Sequence, residues 1–185
     1  MHPSPVEQLI QQLLKEIDPQ PEREGLIDTP KRVAKSYATL FGGYAIDPNS
    51  LLTFFDSEQY DEMVTCKEID FYSTCEHHLL PFYGKAHIGY IPDKKIIGLS
   101  KLPRIVEVFA RRLQNQERLT SQITDFLQQA LEAKGIGVVL EATHLCMQAR
   151  GVEKQNTVVT TSSFRGLFKT QMNTRNEFLS VCLNR

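Results

Sequence analysis

The feature that most constrains this chain is a pair of short clusters, about seventy residues apart, that combine cysteine with histidine. The clusters are Cys75-Glu76-His77-His78 and His144-Leu145-Cys146. Thiolates and imidazoles are common zinc ligands in proteins, and the five present here are one more than a four-coordinate ion uses. If three of them bind zinc, one coordination position remains for water and two histidines remain for proton transfer. That arrangement is typical of a hydrolase.

The spacing within each cluster allows its side chains to converge on one ion. Cys75 and His78 lie three residues apart, which suits a tight turn or one turn of helix. His144 and Cys146 lie two residues apart in a predicted strand, so we expect them to share one strand face with Arg150. A strand face with a thiol, an imidazole and a guanidinium is costly to bury without a function, and the pattern favours a metal site.

Two other interpretations of the clusters remain open at this point. In the first, the clusters form a closed structural zinc site whose four ligands are Cys75, His78, His144 and Cys146. In the second, no metal binds, the cysteines are small packing residues and the histidines are hydrogen-bonded.

Length and charge exclude several classes of protein. The 185 residues suit one domain with a sizeable core. A net charge of −1 argues against a general binder of nucleic acid or of anionic membrane surfaces. We expect no signal peptide and no membrane span, because the sequence lacks a basic stretch before an apolar core and any apolar run of about 18 residues.

Two of the four cysteines lie beside histidines, so we expect reduced thiols, a bound metal and a cytoplasmic location.

Hydrophobic periodicity and turn residues predict an α+β domain with helices at the front and an antiparallel sheet behind them. We expect a single domain over residues 1–185, with an N-terminal helical segment over about 1–45 and a core over about 50–185. Thr29-Pro30 predicts a helix start with Thr29 as the N-cap. Helices are predicted at 5–17, 29–41, 100–113, 117–133 and 174–182, and strands at 62–72, 84–91, 136–149 and 156–163.

One predicted helix begins with two cations, which suggests an anion site. Ser100 is a good N-cap, but Lys101 and Arg104 place positive charge in the first turn, where the helix dipole favours anions. Amides at a helix N-terminus, together with a lysine, an arginine and a hydroxyl, suit a chain of phosphates. Two solvated surface cations are the simpler alternative.

The next helix begins with a carboxylate that has two possible roles. Asn115 as the N-cap, with Glu117 in the first turn, is a sufficient structural account of Gln116-Glu117. A buried carboxylate can instead accept two N–H bonds from the edge of a guanine. The sequence alone favours the structural account.

Three further cations are candidates for contact with an anion. Arg150 is well placed to meet a phosphate if it shares a strand face with Cys146. Arg32 and Lys35 follow Thr29-Pro30 and suit the solvated face of that helix.

With these residues in hand, the chain closely resembles GTP cyclohydrolase I through most of its length. Several linked motifs in the same order make the resemblance specific. They are Pro21-Glu22-Arg23-Glu24-Gly25-Leu26, Thr29-Pro30-Lys31-Arg32-Val33-Ala34, Ser73-Thr74-Cys75-Glu76-His77-His78, Gly98-Leu99-Ser100-Lys101, Gln116-Glu117-Arg118-Leu119, His144-Leu145-Cys146, Ala149-Arg150-Gly151 and Asn173-Thr174-Arg175-Asn176-Glu177-Phe178.

The resemblance implies a fold, an assembly and a reaction. The implied subunit has the tunnelling fold and assembles into a toroidal homodecamer with active sites between subunits. The implied reaction converts GTP and water into 7,8-dihydroneopterin triphosphate and formate, the entry to folate or tetrahydrobiopterin synthesis. The implied cofactor is one zinc ion per subunit. The implied partners are GTP and further copies of the chain, without nucleic acid or membrane.

The resemblance also implies roles for individual residues. Zinc would be held by Cys75, His78 and Cys146. Acid–base catalysis would fall to His77 and His144, with help from Ser100. Guanine would be recognised by Gln116 and Glu117. The triphosphate would meet Ser100, Lys101, Arg104 and Arg150, joined by Arg32 and Lys35 from an adjacent subunit.

Three competing functions are compatible with parts of the pattern. A nitrile-reducing relative from queuosine synthesis would use a cysteine nucleophile and a nicotinamide cofactor, whereas Cys75, His78 and Cys146 together argue for zinc. A cyclohydrolase that stops at a cyclic phosphate would differ in the mass of its product. A non-catalytic module stapled by zinc would need neither His77 nor the cationic helix start.

Overall fold

The structure of the chain is a computed structural model that describes residues 3–183. It contains two compact units, Met1–Gly42 and Gly43–Arg185. The two residues at each end of the chain, including His2, lie outside the described range. The treatment of residues 1–185 as a single domain stays a prediction.

The first unit is helical. Its helices are α1 (Pro5–Ile17), α2 (Glu24–Ile27) and α3 (Thr29–Leu40), and α1 packs against α3. Helix α1 has the predicted bounds, and Oγ of Ser4 caps it by accepting a hydrogen bond from the amide of Glu7 at 3.3 Å. The expected N-cap of α3 was wrong by one residue, because Asp28 takes that position and Thr29 is already helical.

The second unit is built on a five-stranded sheet with the order β5-β2-β3-β6-β7. All neighbours in it are antiparallel except β2 and β5. Strands β1 and β4 form a separate antiparallel pair. The strands are β1 (Phe54–Asp56), β2 (Val64–Cys75), β3 (Pro81–Ile91), β4 (Lys95–Ile97), β5 (Leu113–Gln114), β6 (Gly135–His144) and β7 (Val159–Gly166). The sequence predicted neither the β1–β4 pair nor β5, because strands of two or three residues carry too little periodicity.

Two long helices cover one face of the sheet. They are α4 (Lys101–Ala110) and α5 (Gln116–Leu131), and their apolar residues pack with alternate residues of the central strands. Asn115 caps α5 as predicted, since its side chain accepts a hydrogen bond from the amide of Arg118 at 2.7 Å. These elements confirm the α+β class.

A smaller cluster covers part of the opposite face. It is formed by Val139 and Phe164 of the sheet, with three residues from the last two helices. These helices are α7 (Leu167–Thr170) and α8 (Met172–Leu183), which start earlier than the predicted helix at 174–182. Within residues 3–183, no helix has both the length and the apolar character needed to cross a membrane.

The predicted strand at 136–149 was wrong at its end. Strand β6 stops at His144, and Leu145–Gln148 form a short helix, α6. The amide of Ala149 bonds the carbonyl of Leu145 at 2.9 Å and closes this helical turn. Alternation of side chains cannot reveal such a change, because a strand and a single helical turn both fit four residues.

Close packing against the smaller cluster predicts that Gly137→Ala destabilises the protein. A Cβ at this position would lie 2.7 Å from Cδ1 of Phe168 and 3.0 Å from Cδ1 of Phe164. Overpacking of this kind costs about 1–3 kcal/mol, so we expect the midpoint of thermal unfolding to fall by several degrees.

Gly42→Ala is the matched control, since a Cβ at Gly42 has no described atom within 4 Å. Equal unfolding midpoints for Gly137→Ala and the wild type would contradict the packing described.

Candidate functional site

The two cysteine–histidine clusters meet at one end of the sheet. The ligand atoms of Cys75, His78 and Cys146 all lie within 4.8 Å of one another, and we call these three residues the metal group. Both cysteines are buried, whereas His78 is exposed. The group is therefore closed on its sulfur side and open on its imidazole side.

A tight turn between β2 and β3 presents the first cluster. Cys75 is the last residue of β2, and its amide donates to the carbonyl of Leu80 at 2.9 Å. Its own carbonyl accepts from the amide of Leu79 at 2.8 Å. These bonds close the chain on itself and direct the thiol of Cys75 and the ring of His78 to the same side, with Sγ 3.9 Å from Nδ1.

The second cluster reaches the group by a route that the sequence did not predict. Cys146 lies on α6, so the expectation that it shares a strand face with His144 and Arg150 was wrong. The helical turn carries Cys146 into the core beside Cys75. It also leaves Arg150 beyond α6, where Nη1 donates to the carbonyl of Cys146 at 3.2 Å.

The donor set fits zinc. Bond lengths of about 2.3 Å to sulfur and about 2.1 Å to nitrogen place tetrahedral donors roughly 3.5–3.8 Å apart, so the thiol of Cys75 and the ring of His78 need only a small adjustment. All four cysteines are free thiols. Burial and the neighbouring Cys75 raise the pKa of the Cys146 thiol, and a bound dication would favour its thiolate.

The side chain of Glu76 links the turn between β2 and β3 to the start of α5. Its carboxylate accepts hydrogen bonds from both terminal nitrogens of Arg118, with Nη1 at 3.2 Å from Oε1. Nδ2 of Asn115 donates to the same Oε1 at 3.2 Å. The guanidinium of Arg118 holds the pKa of the Glu76 carboxyl below its usual range. The metal-group turn and the N-terminus of α5 are thus joined by charged hydrogen bonds.

His77 is the exposed histidine outside the metal group. Its Nδ1 lies 3.8 Å from Sγ of Cys75, and its Nε2 lies 3.7 Å from a carboxylate oxygen of Glu76. It is therefore adjacent to the metal group and accessible from solvent.

His144 is held in a different environment. Its ring stacks on Phe82 with 4.7 Å between centroids and 2° between planes. Its Nε2 lies 2.7 Å from Oε1 of Gln116. Burial lowers the pKa of His144, and the neighbouring Glu117 carboxylate partly opposes this shift. Among the described residues, His144 is not part of the metal group, which supports the three-ligand interpretation over the closed four-ligand site.

The start of α4 lacks the capping bond and most of the free amides that the predicted anion site would use. Ser100 occupies the N-cap position, but it has helical dihedrals and its side chain makes no capping bond. The amides of Lys101 and Leu102 bond the carbonyls of Gly98 and Leu99 at 2.8 and 3.3 Å, and Pro103 has no N–H. Few helix amides remain for a phosphate, so any anion would depend on side chains.

The predicted cations do not all meet in the described structure. Ser100 and Arg104 are exposed and Lys101 is partly exposed, and within residues 3–183 no hydrogen bond or ion pair joins them to the metal group. Arg32 and Lys35 belong to the first unit. Arg32 bonds the carbonyl of Gly25 at 2.9 Å, and its role at the site stays a prediction.

Sequence reasoning missed three of the contacts that organise the site. These are the ion pair of Glu76 with Arg118, the stacking of Phe82 on His144, and the bond between Gln116 and His144. Glu76 carried a signal, since a carboxylate between metal ligands needs a counter-charge. The contact of Phe82 with His144 depends on strand pairing and that of Gln116 on the packing of α5 against the sheet, and neither carried a signal.

Comparison with solved structures gives a weak likeness to the apo form of the archaeosine synthase QueF-Like. The TM-score is 0.48 at 14% identity, over 56% of this chain and 93% of that chain. A likeness of this size does not decide the fold.

Comparison with known sequences is far stronger. The GTP cyclohydrolase I family pattern matches residues 6–183. GTP cyclohydrolase 1 of Chlorobaculum tepidum is 61% identical over 173 residues, covering 93% of this chain and 77% of that protein. The enzyme of the same name from Leptospira biflexa is 57% identical over 95% of this chain and 97% of that protein. The one from Methylococcus capsulatus is 55% identical over 98% of each. The chain therefore belongs to the GTP cyclohydrolase I family.

Proposed function

We propose that the chain converts GTP and water into 7,8-dihydroneopterin triphosphate and formate, with one zinc ion held by Cys75, His78 and Cys146. The observation that carries the proposal is the metal group, whose donor atoms lie within 4.8 Å and leave both His77 and His144 outside it. Membership of the GTP cyclohydrolase I family supports the same reaction.

The chemistry that zinc supplies in such a site is the activation of water as a nucleophile near neutral pH. His77 is exposed beside the metal group and donates a proton to N7 of guanine, which makes C8 more electrophilic. His144 exchanges protons in the later steps, in which the ribose opens, rearranges and closes into the new ring. Ser100 assists these transfers.

Substrate recognition is divided between the start of α5, which meets the base, and three cations, which meet the triphosphate. Glu117, exposed in the first turn of α5, accepts the N–H groups of the guanine edge. Gln116, the second residue expected in this role, has its amide bonded to protein groups. The triphosphate meets the side chains of Lys101, Arg104 and Arg150.

The assembly and the location are part of the proposal. The tunnelling fold and a toroidal decamer with active sites between subunits follow from the family, and Arg32 and Lys35 would enter from an adjacent subunit. Apolar side chains exposed on α1, namely Leu9, Leu13 and Ile17, support burial against another copy. A site that needs reduced thiols favours the cytoplasm. The product would enter folate or tetrahydrobiopterin synthesis.

Incubation of the zinc-loaded protein with GTP tests the proposed reaction. We expect release of formate together with the absorbance of a pterin, and mass spectrometry should give a triphosphate rather than a cyclic phosphate. A chelator should stop the reaction while circular dichroism shows that the fold survives. Zinc-loaded protein that releases no formate from GTP would overturn the proposal.

His144→Ala tests the division between ligands and acid–base groups. Because His144 lies outside the metal group, we expect the variant to keep one zinc per subunit while turnover falls by about 10²–10⁴-fold. His78→Ala is the comparison, and it should lose zinc. Stoichiometric loss of zinc from His144→Ala would instead favour the closed four-ligand site.

Lys101→Ala and Arg104→Ala test phosphate recognition. Each variant removes a charged hydrogen bond worth about 1.5–3 kcal/mol, so GTP binding should weaken about 10–150-fold while guanosine binding is nearly unchanged. Lys94→Ala, at an exposed lysine outside α4, is the control. Equal losses for GTP and guanosine would refute the assignment.

A further inference from the structure

We propose that Gln116 is a positioning residue for His144, whose imidazole it holds in one orientation with hydrogen on Nε2. The observation is the 2.7 Å contact between Nε2 of His144 and Oε1 of Gln116 at the buried start of α5. This inference rests on the proposed function, because it concerns a residue that acts in that reaction.

The orientation of the Gln116 amide is fixed by its other partners. Its Nε2 lies 2.9 Å from the carbonyl oxygen of Val159 and 3.1 Å from that of Leu140. Carbonyl oxygens only accept hydrogen bonds, so the NH₂ group must face them. The reversed amide would set Oε1 against two other oxygens. Oε1 therefore faces His144.

Two threonines reinforce this orientation. Oγ1 of Thr161 lies 3.1 Å from Nε2 of Gln116 and 2.7 Å from Oγ1 of Thr120. Oγ1 of Thr120 donates to the main-chain carbonyl of Gln116 at 2.6 Å. One set of directions fits these contacts: Gln116 donates to Thr161, Thr161 to Thr120, and Thr120 back to Gln116. The two hydrogens of the Gln116 amide are then shared among three acceptors, Thr161 and the carbonyls of Leu140 and Val159. The loop ties the amide and the main chain of one residue together.

The fixed direction of the Gln116 amide determines which ring nitrogen of His144 carries hydrogen. Because Oε1 of Gln116 can only accept, Nε2 of His144 must carry hydrogen whether the ring is neutral or protonated. Stacking on Phe82 fixes the plane of the ring. The neutral ring is thus held in one tautomer and one orientation, with Nδ1 as its acceptor atom.

The same contacts argue against Gln116 as a reader of guanine. The residue is only 2% exposed, and both amide hydrogens have protein acceptors. Turning the amide towards a base would take its hydrogens away from the carbonyls of Leu140 and Val159. The next residue, Glu117, has an exposed carboxylate that, among the described residues, makes no such hydrogen bonds to the sheet. Gln116 thus acts through His144, and Glu117 acts on the base.

Neutron diffraction from crystals of the wild-type protein in D₂O tests the assignment directly. We expect deuterium on Nε2 of His144 and the ND₂ group of Gln116 facing the carbonyls of Leu140 and Val159. A bare Nε2, or an amide turned the other way, would overturn the inference. This measurement does not depend on turnover, so it separates failure of the inference from failure of the proposed function.

Kinetics of Gln116→Met give the second test. This change keeps the size of the side chain and removes the amide. We expect kcat to fall about 10–100-fold while the dissociation constant of GTP changes less than threefold. Unchanged kcat, or a tenfold weaker affinity for GTP with no loss of kcat, would contradict the inference.

Gln128→Met is the matched control for that variant. Gln128 lies near the other end of α5, and its Nε2 donates to the carbonyl of Ala133 at 2.7 Å. Its replacement also removes a glutamine amide from the helix, but at a distance from His144, so kcat should stay near the wild-type value. If Gln128→Met lowered kcat as much as Gln116→Met, the effect would be a general loss of helix stability and the inference would fail.

Discussion

The register of the three central strands is the constraint on which the site depends. Thr74 of β2 pairs with Pro81 of β3, and Phe82 of β3 pairs with His144 of β6. The two clusters, which are distant in sequence, therefore lie at the same end of the sheet. A slip of one residue between β3 and β6 would turn His144 to the opposite face and remove it from Gln116. Burial of the central strands beneath α4 and α5 makes such a slip costly.

The same register gives the two histidines outside the metal group unlike surroundings. His77 projects from a turn, exposed to solvent, and Glu76 beside it is anchored to Arg118. His144 is half-buried, stacked on an aromatic ring and bonded to an amide of fixed direction. An exposed imidazole and a half-buried, oriented one suit different steps of a reaction with several proton transfers. The two histidines that a three-ligand metal site leaves over thus lie in two distinct environments.

The sequence was sufficient wherever the deciding interaction is local. The bounds of α1, the cap of α5 by Asn115 and the convergence of Cys75 with His78 all depend on residues within a few positions of each other. It was insufficient where tertiary contacts decide. Cys146 was placed on a strand because alternation cannot distinguish that from the single turn of α6. The link from Gln116 to His144 spans 28 residues and exists only because α5 lies over the sheet. Local bonding also removed the expected capping by Ser100, since preceding carbonyls already satisfy the first amides of α4.

The central claim is that three side chains, Cys75, His78 and Cys146, form an open metal site and leave the other two histidines of the clusters free. X-ray absorption spectroscopy at the zinc K edge of the purified protein tests it most directly, because imidazole rings give a multiple-scattering signal that other light ligands lack. The account predicts two sulfur ligands, one imidazole and one further light ligand that is not an imidazole. Two sulfurs with two imidazoles, the signature of a closed structural site, would contradict it.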